Sequence, residues 1–245
     1  MHVRMMRRLI PAMNTPDGIV VAGGDGTLFH LLCRLKPPWP PVVLLPNGRG
    51  NALARDIGAG REAWVDAMRV RAAVASGGWL TCWSLSSIGL GYPAAVTRRA
   101  AGFRFLRRFS YAGAALFTLP EWSAYEISLD GEPARRERLR GVLINNTRYT
   151  GGFEALPQAS SADGMAECLE LTAGYLAQMA HNLSVMTGLH CYAPVRIRMV
   201  KRALIRLAEP AELMVDGEML GRVVSVEAEL MPRMLRFRIA RRAEG

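Results

Sequence analysis

Histidine and cysteine are scarce, four of each in 245 residues. The cysteines, at 33, 82, 168 and 191, form no C-x-x-C pair and no zinc-type spacing. That excludes a disulfide scaffold or a cysteine metal site, and reads them as small buried hydrophobes in a reducing compartment. Long apolar runs are missing too: no segment approaches about 18 uninterrupted apolar residues, so no spanning helix is expected. The N-terminal "MHVRMMRRLIPAM" has basic residues but no apolar stretch long enough for a secretory signal. The expected location is the cytoplasm, with peripheral contact at the inner membrane face at most. Acidic residues are the minority charge, 21 Asp plus Glu against 31 Lys plus Arg, for a net +10 carried almost entirely by arginine. Such an excess suits an anionic partner, whether nucleotide, nucleic acid or acidic headgroups. It equally suits a chain that uses arginine as its generic surface cation, and charge alone does not choose. No internal repeat or low-complexity segment stands out.

What is present is the balance of a folded soluble protein, 50% hydrophobic and 21% charged. The length is long for one core and comfortable for two. "GIVVAGG" reads as a buried parallel strand closed by glycines, Thr27 to Leu35 as a helix stopped at "KPPWPP", "PVVLLPNG" as a second strand and "NALARDIG" as a second helix. Strand, glycine-rich loop and helix, twice over, predict a doubly wound parallel sheet with ligands at the carboxyl ends of its strands. Val3 to Met13 read as the end of an arginine-rich helix. Beyond "ASGGW" the pattern turns to period two, from "LTCWSLSSIG" to "MLRFRIA", which indicates an antiparallel sandwich or open barrel. Helices interrupt it at about 94–119 and 175–187. The boundary falls near Ser76, giving an α/β domain over 1–76 and an all-β domain over 77–245.

Two loops carry the candidate chemistry. In "IVVAGGDGTLFH", Gly23, Gly24 and Gly26 let backbone N–H groups approach phosphate oxygens, and Thr27 adds a hydroxyl at the first helical turn. Asp25 would repel polyphosphate unless it faces Mg²⁺ or lies near the hydroxyl to be phosphorylated. In "LLPNGRGNALARDIG", Gly48 and Gly50 allow close approach and Arg49 offers a cation. Asn51 there either caps the following helix or binds phosphate oxygens. The "DGE" at 216–218 and the "LDGE" at 129–132 both read as hairpin turns from the residues alone.

"GGDGT" followed by "PNGRGNALARDIG", then "SIGLGY", "YAGAALFTL", "NNTRYTGGFEALPQASSADGM" and "MVDGEMLG" in this order, resembles the diacylglycerol kinase and sphingosine kinase superfamily, especially its soluble bacterial members. The resemblance implies a Rossmann-like, NAD kinase/diacylglycerol kinase-like parallel-sheet nucleotide domain followed by an antiparallel β-sandwich. It also implies an ATP-dependent lipid kinase using Mg²⁺. By that resemblance Asp25 belongs to a carboxylate, water and Mg²⁺ network, and Asp216 or Glu218 acts with it to accept the acceptor hydroxyl's proton. Pro157, Ala159 and Asp163 resemble a segment that binds a structural Mg²⁺ in some members and lies close to the cleft; the role of Asp163 stays open between the two. Asp130 and Glu132 remain a surface hairpin.

Three departures are visible. The strand, "NP-x-x-G" loop, helix and strand expected before "GGDGT" are absent, which reads as N-terminal truncation. Arg49 replaces the usual Thr or Ser of the second loop, and Pro93 stands where an acidic residue usually follows "GLGY". An NAD kinase-like enzyme, and a catalytically weakened regulator that binds nucleotide or lipid, are the alternative functions. The expected partners are a lipid substrate and a peripherally touched membrane surface, not nucleic acid; a homodimer is compatible with the sequence. The stretch 98–117, with Arg98, Arg99, Arg104, Arg107 and Arg108 among phenylalanines 103, 105 and 109, reads first as a core-packed amphipathic helix and second as a bilayer contact.

Overall fold

A computed structural model describes residues 12–15, 18–48, 50–102, 110–119, 121–189 and 195–240. In chain order these form β1 (Ala12–Thr15), β2 (Gly18–Gly23), α1 (Asp25–Arg34), β3 (Val42–Pro46), α2 (Ala52–Ile57), β4 (Glu62–Val74), β5 (Trp79–Ser84) and β6 (Ser87–Gly91). Next come α3 (Tyr92–Ala100), α4 (Ser110–Phe117), β7 (Ser123–Leu129), β8 (Arg135–Leu139), β9 (Gly141–Asn145), β10 (Tyr149–Thr150) and β11 (Phe153–Glu154). The chain closes with β12 (Ala166–Leu171), α5 (Tyr175–Thr187), β13 (Val195–Val200), β14 (Arg202–Val215) and β15 (Glu218–Ile239).

Parallel pairing is confined to the first layer, where β2 lies beside β3 and β3 beside the end of β15, Phe237 facing Val42. Alternate residues of β2 and β3 are buried, and Leu28, Phe29, Leu31 and Leu32 supply the inward stripe of α1. The rest of the sheet is antiparallel, running β15, β14, β6, β9, β12, β13, with β4 and β5 joined at β15 and β7 and β8 at β14. This is the expected α/β layer followed by an antiparallel sandwich. One difference is local: Ala12–Thr15 is a strand antiparallel to β2 rather than the end of a helix. Residues 3–11 lie outside those described. The helix expected at about 94–119 is α3 and α4, with 103–109 between them also outside.

Two long strands tie the layers together. Val65 and Ala67 of β4 pack in the first core with Leu28, Val42, Leu53 and Phe237, while Met68, Val70 and Ala72 pack in the sandwich core. β15 does the same, Leu235 and Phe237 in one core and Val223 and Val226 in the other. Its register shifts between Met231 and Leu235, where Arg233 takes φ 52°. The fully buried Asp66 accepts hydrogen bonds there from the Arg233 N–H (2.8 Å) and from Gly164 N–H (2.7 Å), pinning the bend of β15 and the 157–165 loop at once. A cut between the layers would therefore break β-ladders, not only a linker.

Cys82 and Cys168 are buried and Cys33 partly so. Burial pushes the Cys33 thiol up to about 11 and Cys168 to about 12, so both stay protonated and serve as packing. Cys191 lies outside the described residues.

Candidate active site

The two glycine loops meet at the carboxyl ends of β2 and β3. A methyl group on Gly24 would stand 2.7 Å from the Gly48 Cα, and one on Gly48 would stand 2.6 Å from the Gly24 Cα. These two glycines thus first allow the loops to touch each other. Asn51 secures the second loop rather than capping a helix: its Oδ1 accepts from Gly48 N–H at 2.8 Å and its amide donates to Gly48 O at 2.9 Å. It sits at the N-cap position of α2 with φ 49° and makes no side-chain cap bond there.

Asp25 takes over the cap. Its carboxylate accepts from Ala52 N–H (2.9 Å) and Leu53 N–H (3.3 Å), so the first loop's acid closes the second loop's helix. Burial pushes the Asp25 carboxyl above its ordinary range, the two amides pull it back and the neighbouring charge of Asp216 raises it further.

Asp216 and Gly217 form the two-residue turn between β14 and β15, with φ 49° and 83°, as a type I′ hairpin requires. The Asp216 side chain points inward and is nearly covered. It accepts from Ser84 Oγ (2.7 Å), Leu85 N–H (2.8 Å), and Ser86 N–H, Ser86 Oγ and Ser87 N–H (2.9 Å each). Four of the five converge on Oδ1 and one, from Leu85 N–H, reaches Oδ2, so the carboxylate is largely committed to holding this segment and the turn. Glu218, the next carboxylate, stands at the cleft with its side chain 30% exposed, 3.6 Å from His30 Nε2. A methyl on Gly26 would lie 2.6 Å from Glu218 Oε1. Gly26 therefore makes room for this carboxylate beside Asp25.

The cleft is lined by Gly24, Asp25, Gly26, Thr27, Gly48 and Gly50 on one side and by Ser87, Tyr149, Asp216, Gly217 and Glu218 on the other. Gly23 and Asn51 support it from behind: a methyl on Gly23 would run into the Thr27 side chain. Arg49 lies outside the described residues. Asp163 is exposed, does not line the cleft, and binds the N–H of Met165 in its own turn (3.0 Å). Among the described residues no three His, Cys, Asp or Glu groups cluster to hold a metal by themselves. Asp25 and Glu218 on one cleft nevertheless fit Mg²⁺, which takes one or two carboxylates and completes its shell with water and phosphate oxygens.

An apolar pocket opens beside this polar cleft and shares Thr97, Tyr111, Thr150, Gly151 and Met214 with it. Tyr92, Pro93, Val96, Leu143, Leu169 and Leu171 form its walls, and α5 closes it with Gln178, His181, Val185 and Met186. Pro93, in the first turn of α3, thus puts an apolar ring where a carboxylate was expected. Tyr111 and Thr150 were not among the residues singled out from the sequence. They sat inside quoted motifs, but nothing in their spacing marked them as the seam between two pockets. Arg55 of α2 braces that seam, stacking 4.4 Å over the Tyr149 ring and donating to Gly152 O at 2.5 Å.

Comparison with known proteins agrees with this architecture. Residues 2–76 match the family model of the diacylglycerol kinase catalytic domain, and residues 86–239, well over half of the chain, match that of the YegS C-terminal NAD kinase beta sandwich-like domain. Diacylglycerol kinase 4 of Arabidopsis thaliana is 40% identical over 80 residues, 27% of this chain and 16% of its own length, so the chain spans about a sixth of that relative. A crystal structure of a diacylglycerol kinase from Bacillus anthracis superposes with a TM-score of 0.68 at 19% identity, covering 89% of this chain and 76% of that one. Yeast NADH kinase complexed with NADH aligns with a TM-score of 0.53 at 13% identity, covering 95% of this chain and 63% of that one. At these identities the two structures speak for the fold alone.

Proposed function

The chain belongs to the diacylglycerol kinase and sphingosine kinase superfamily, and we propose that it transfers the γ-phosphate of ATP to a hydroxyl of a membrane lipid of diacylglycerol or sphingoid-base type. In this reading residues 1–76 bind the nucleotide and residues 77–245 the lipid. The observation that carries it is the seam: a polar cleft lined by three carboxylates and glycine backbone runs into an apolar pocket across Thr97, Tyr111 and Thr150. A polyphosphate suits the first and a hydrocarbon chain the second, which brings the acceptor hydroxyl to the boundary between them.

Phosphoryl transfer forms one bond from the acceptor oxygen to the γ-phosphorus and breaks the bond to the bridging oxygen of the departing ADP. Little covalent chemistry is asked of the protein; positioning and charge stabilisation do the work. Glu218 is the group assigned to receive the hydroxyl proton, because its side chain stands 30% exposed at the cleft, whereas Asp216 is nearly covered and engaged by five donors and Asp25 caps the N-terminus of α2. Asp216 then acts as a positioning residue, holding Ser84–Ser87 and the turn that delivers Glu218. Asp25 and Glu218 would hold Mg²⁺, which would supply neutralisation of phosphate charge. Apart from the Gly48 N–H, which donates to Asn51, the N–H groups of the two glycine loops would meet the same phosphates.

The test is incubation of the full chain with Mg²⁺, γ-labelled ATP and mixed micelles of diacylglycerol, sphingosine or ceramide, with NAD in a parallel reaction. Label in one lipid that disappears in Asp25→Ala supports the proposal. Label in NAD favours the NAD kinase-like alternative, and ATP binding with no labelled product favours the regulator.

A further inference from the structure

We propose that α5 and the end of α4 form the face by which this protein docks on a lipid bilayer. The inference rests on the lipid-kinase reading for its purpose and on separate observations for its surface. α5 is turned inside out. Its polar side chains Gln178, His181 and Ser184 are buried, while Leu176 is 81% and Leu183 55% exposed. Leu176, Ala180 and Leu183, spaced i, i+4 and i+7, fall on one face, which for an ordinary surface helix would be the buried one.

Charge is withheld from the same face. The chain is 21% charged, yet neither α4 nor α5 contains Asp, Glu, Lys or Arg, and none occurs from Leu171 to Val195. The two helices pack against each other, with the Tyr175 hydroxyl donating to Leu116 O at 3.4 Å. Phe117 at the end of α4 is 65% exposed and Leu119 just beyond it 70% exposed. Scattered exposed leucines are unremarkable in a soluble protein; a contiguous, charge-free apolar face is not.

Three points select a bilayer as the occupant. α5 also roofs the apolar pocket, so a lipid could pass from the membrane to the seam without crossing open water. The groove beside Phe117 and Leu119 carries Arg98, Arg99, Arg140 and Arg222. Glu121, Glu209 and Glu212 share it and Arg98 pairs with Glu212 at 2.8 Å, but the excess stays positive, as it does over the whole chain. Arginines flanking an apolar surface complement acidic headgroups, whereas a second copy would bring like charge against them.

The experiment is sedimentation of the full chain with vesicles of phosphatidylcholine alone or mixed with phosphatidylglycerol, for wild type and Leu176→Gln/Leu183→Gln. This pair leaves net charge unchanged and touches neither pocket wall. Wild type is expected to bind the mixed vesicles more tightly than the neutral ones, and the variant at least tenfold more weakly. Equal binding by the variant, or no vesicle binding by wild type, overturns the inference. So does a wild-type dimer in light scattering that the variant converts to monomer, which would assign the face to a second copy. Labelling of a short-chain, water-soluble diacylglycerol is expected to be equal in both proteins; its loss in the variant would mark a damaged pocket and likewise overturn the inference. If no lipid is labelled by either protein while the vesicle difference persists, the kinase reading fails and the docking face stands.

Discussion

Glu167 is an acid buried without a partner, and replacing it with glutamine should stabilise the protein at alkaline pH. It sits on β12 at 1% exposure, and among the described residues no side chain donates to either carboxylate oxygen. Its cross-strand neighbour Asn145 has an Oδ1 in the same condition. Burial, helped by the nearby charges of Asp163 and Asp56, pushes the Glu167 carboxyl from 4.5 up to about 7. The folded state thus holds a proton that the unfolded chain releases near its ordinary range, and stability falls as pH rises from about 4.5 to 7. At about 1.4 kcal/mol per pH unit the full loss is roughly 3 kcal/mol. Glutamine is neutral throughout and brings a donor. Glu167→Gln should therefore gain about 1 kcal/mol over wild type at pH 5 and about 3 kcal/mol at pH 8 in urea unfolding followed by circular dichroism. A difference between the two proteins that does not change with pH would refute the reasoning.

The three site carboxylates should separate by phenotype. Asp216→Ala strands buried donors and should cost roughly 3–5 kcal/mol in the same unfolding assay, whereas Glu218→Gln should leave the unfolding midpoint nearly unchanged while abolishing lipid labelling. Equal stability losses would remove the distinction between them. Gly24→Ala forces the two loops apart and should cost about 1–3 kcal/mol together with a clear loss of ATP affinity by calorimetry; wild-type binding would show that loop contact is dispensable. Because burial raises the Asp25 carboxyl, the acid limb of the pH–rate profile should lie above the ordinary aspartate range; a limb at the ordinary position would contradict the environment described here.

The sequence was most readable where local chemistry decides the outcome. "GGDGT" joins strand to helix as expected, although α1 already begins at Asp25 rather than Thr27, and the helix read at 175–187 is α5 residue for residue. Reading failed where the partner is remote in the chain. Asn51 looked like a cap, but Asp25, more than twenty residues earlier, reaches the α2 amides first. "DGE" looked like a plain turn because its five donors lie 129 or more positions upstream. The strand Glu62–Val74 went unread, since its middle is continuously buried and gives no alternation. In "AECLEL" the alternation itself misled: all six residues are buried, Glu170 being matched by Arg135 and Arg196 while Glu167 has no such match. The helix suspected of meeting a bilayer is also instructive. In α3, Ala94, Val96 and Ala100 are buried and Arg98 and Arg99 solvated, while residues 103–109, which carry the phenylalanines and the other arginines of that reading, lie outside the described residues. The apolar outer face assigned above belongs to α5 and the end of α4, and α5 has no cation in its composition to draw attention to it.

The central claim, that Glu218 in the phosphate cleft, which opens into an apolar pocket, serves transfer from ATP to a lipid hydroxyl, is tested most directly by the rate of γ-label incorporation into micellar diacylglycerol or sphingosine with purified wild type and Glu218→Gln. The account predicts labelled lipid from wild type and a rate at least a hundredfold lower from the variant, in keeping with loss of a general base. Undiminished labelling by Glu218→Gln, or no labelled lipid from wild type, would contradict it.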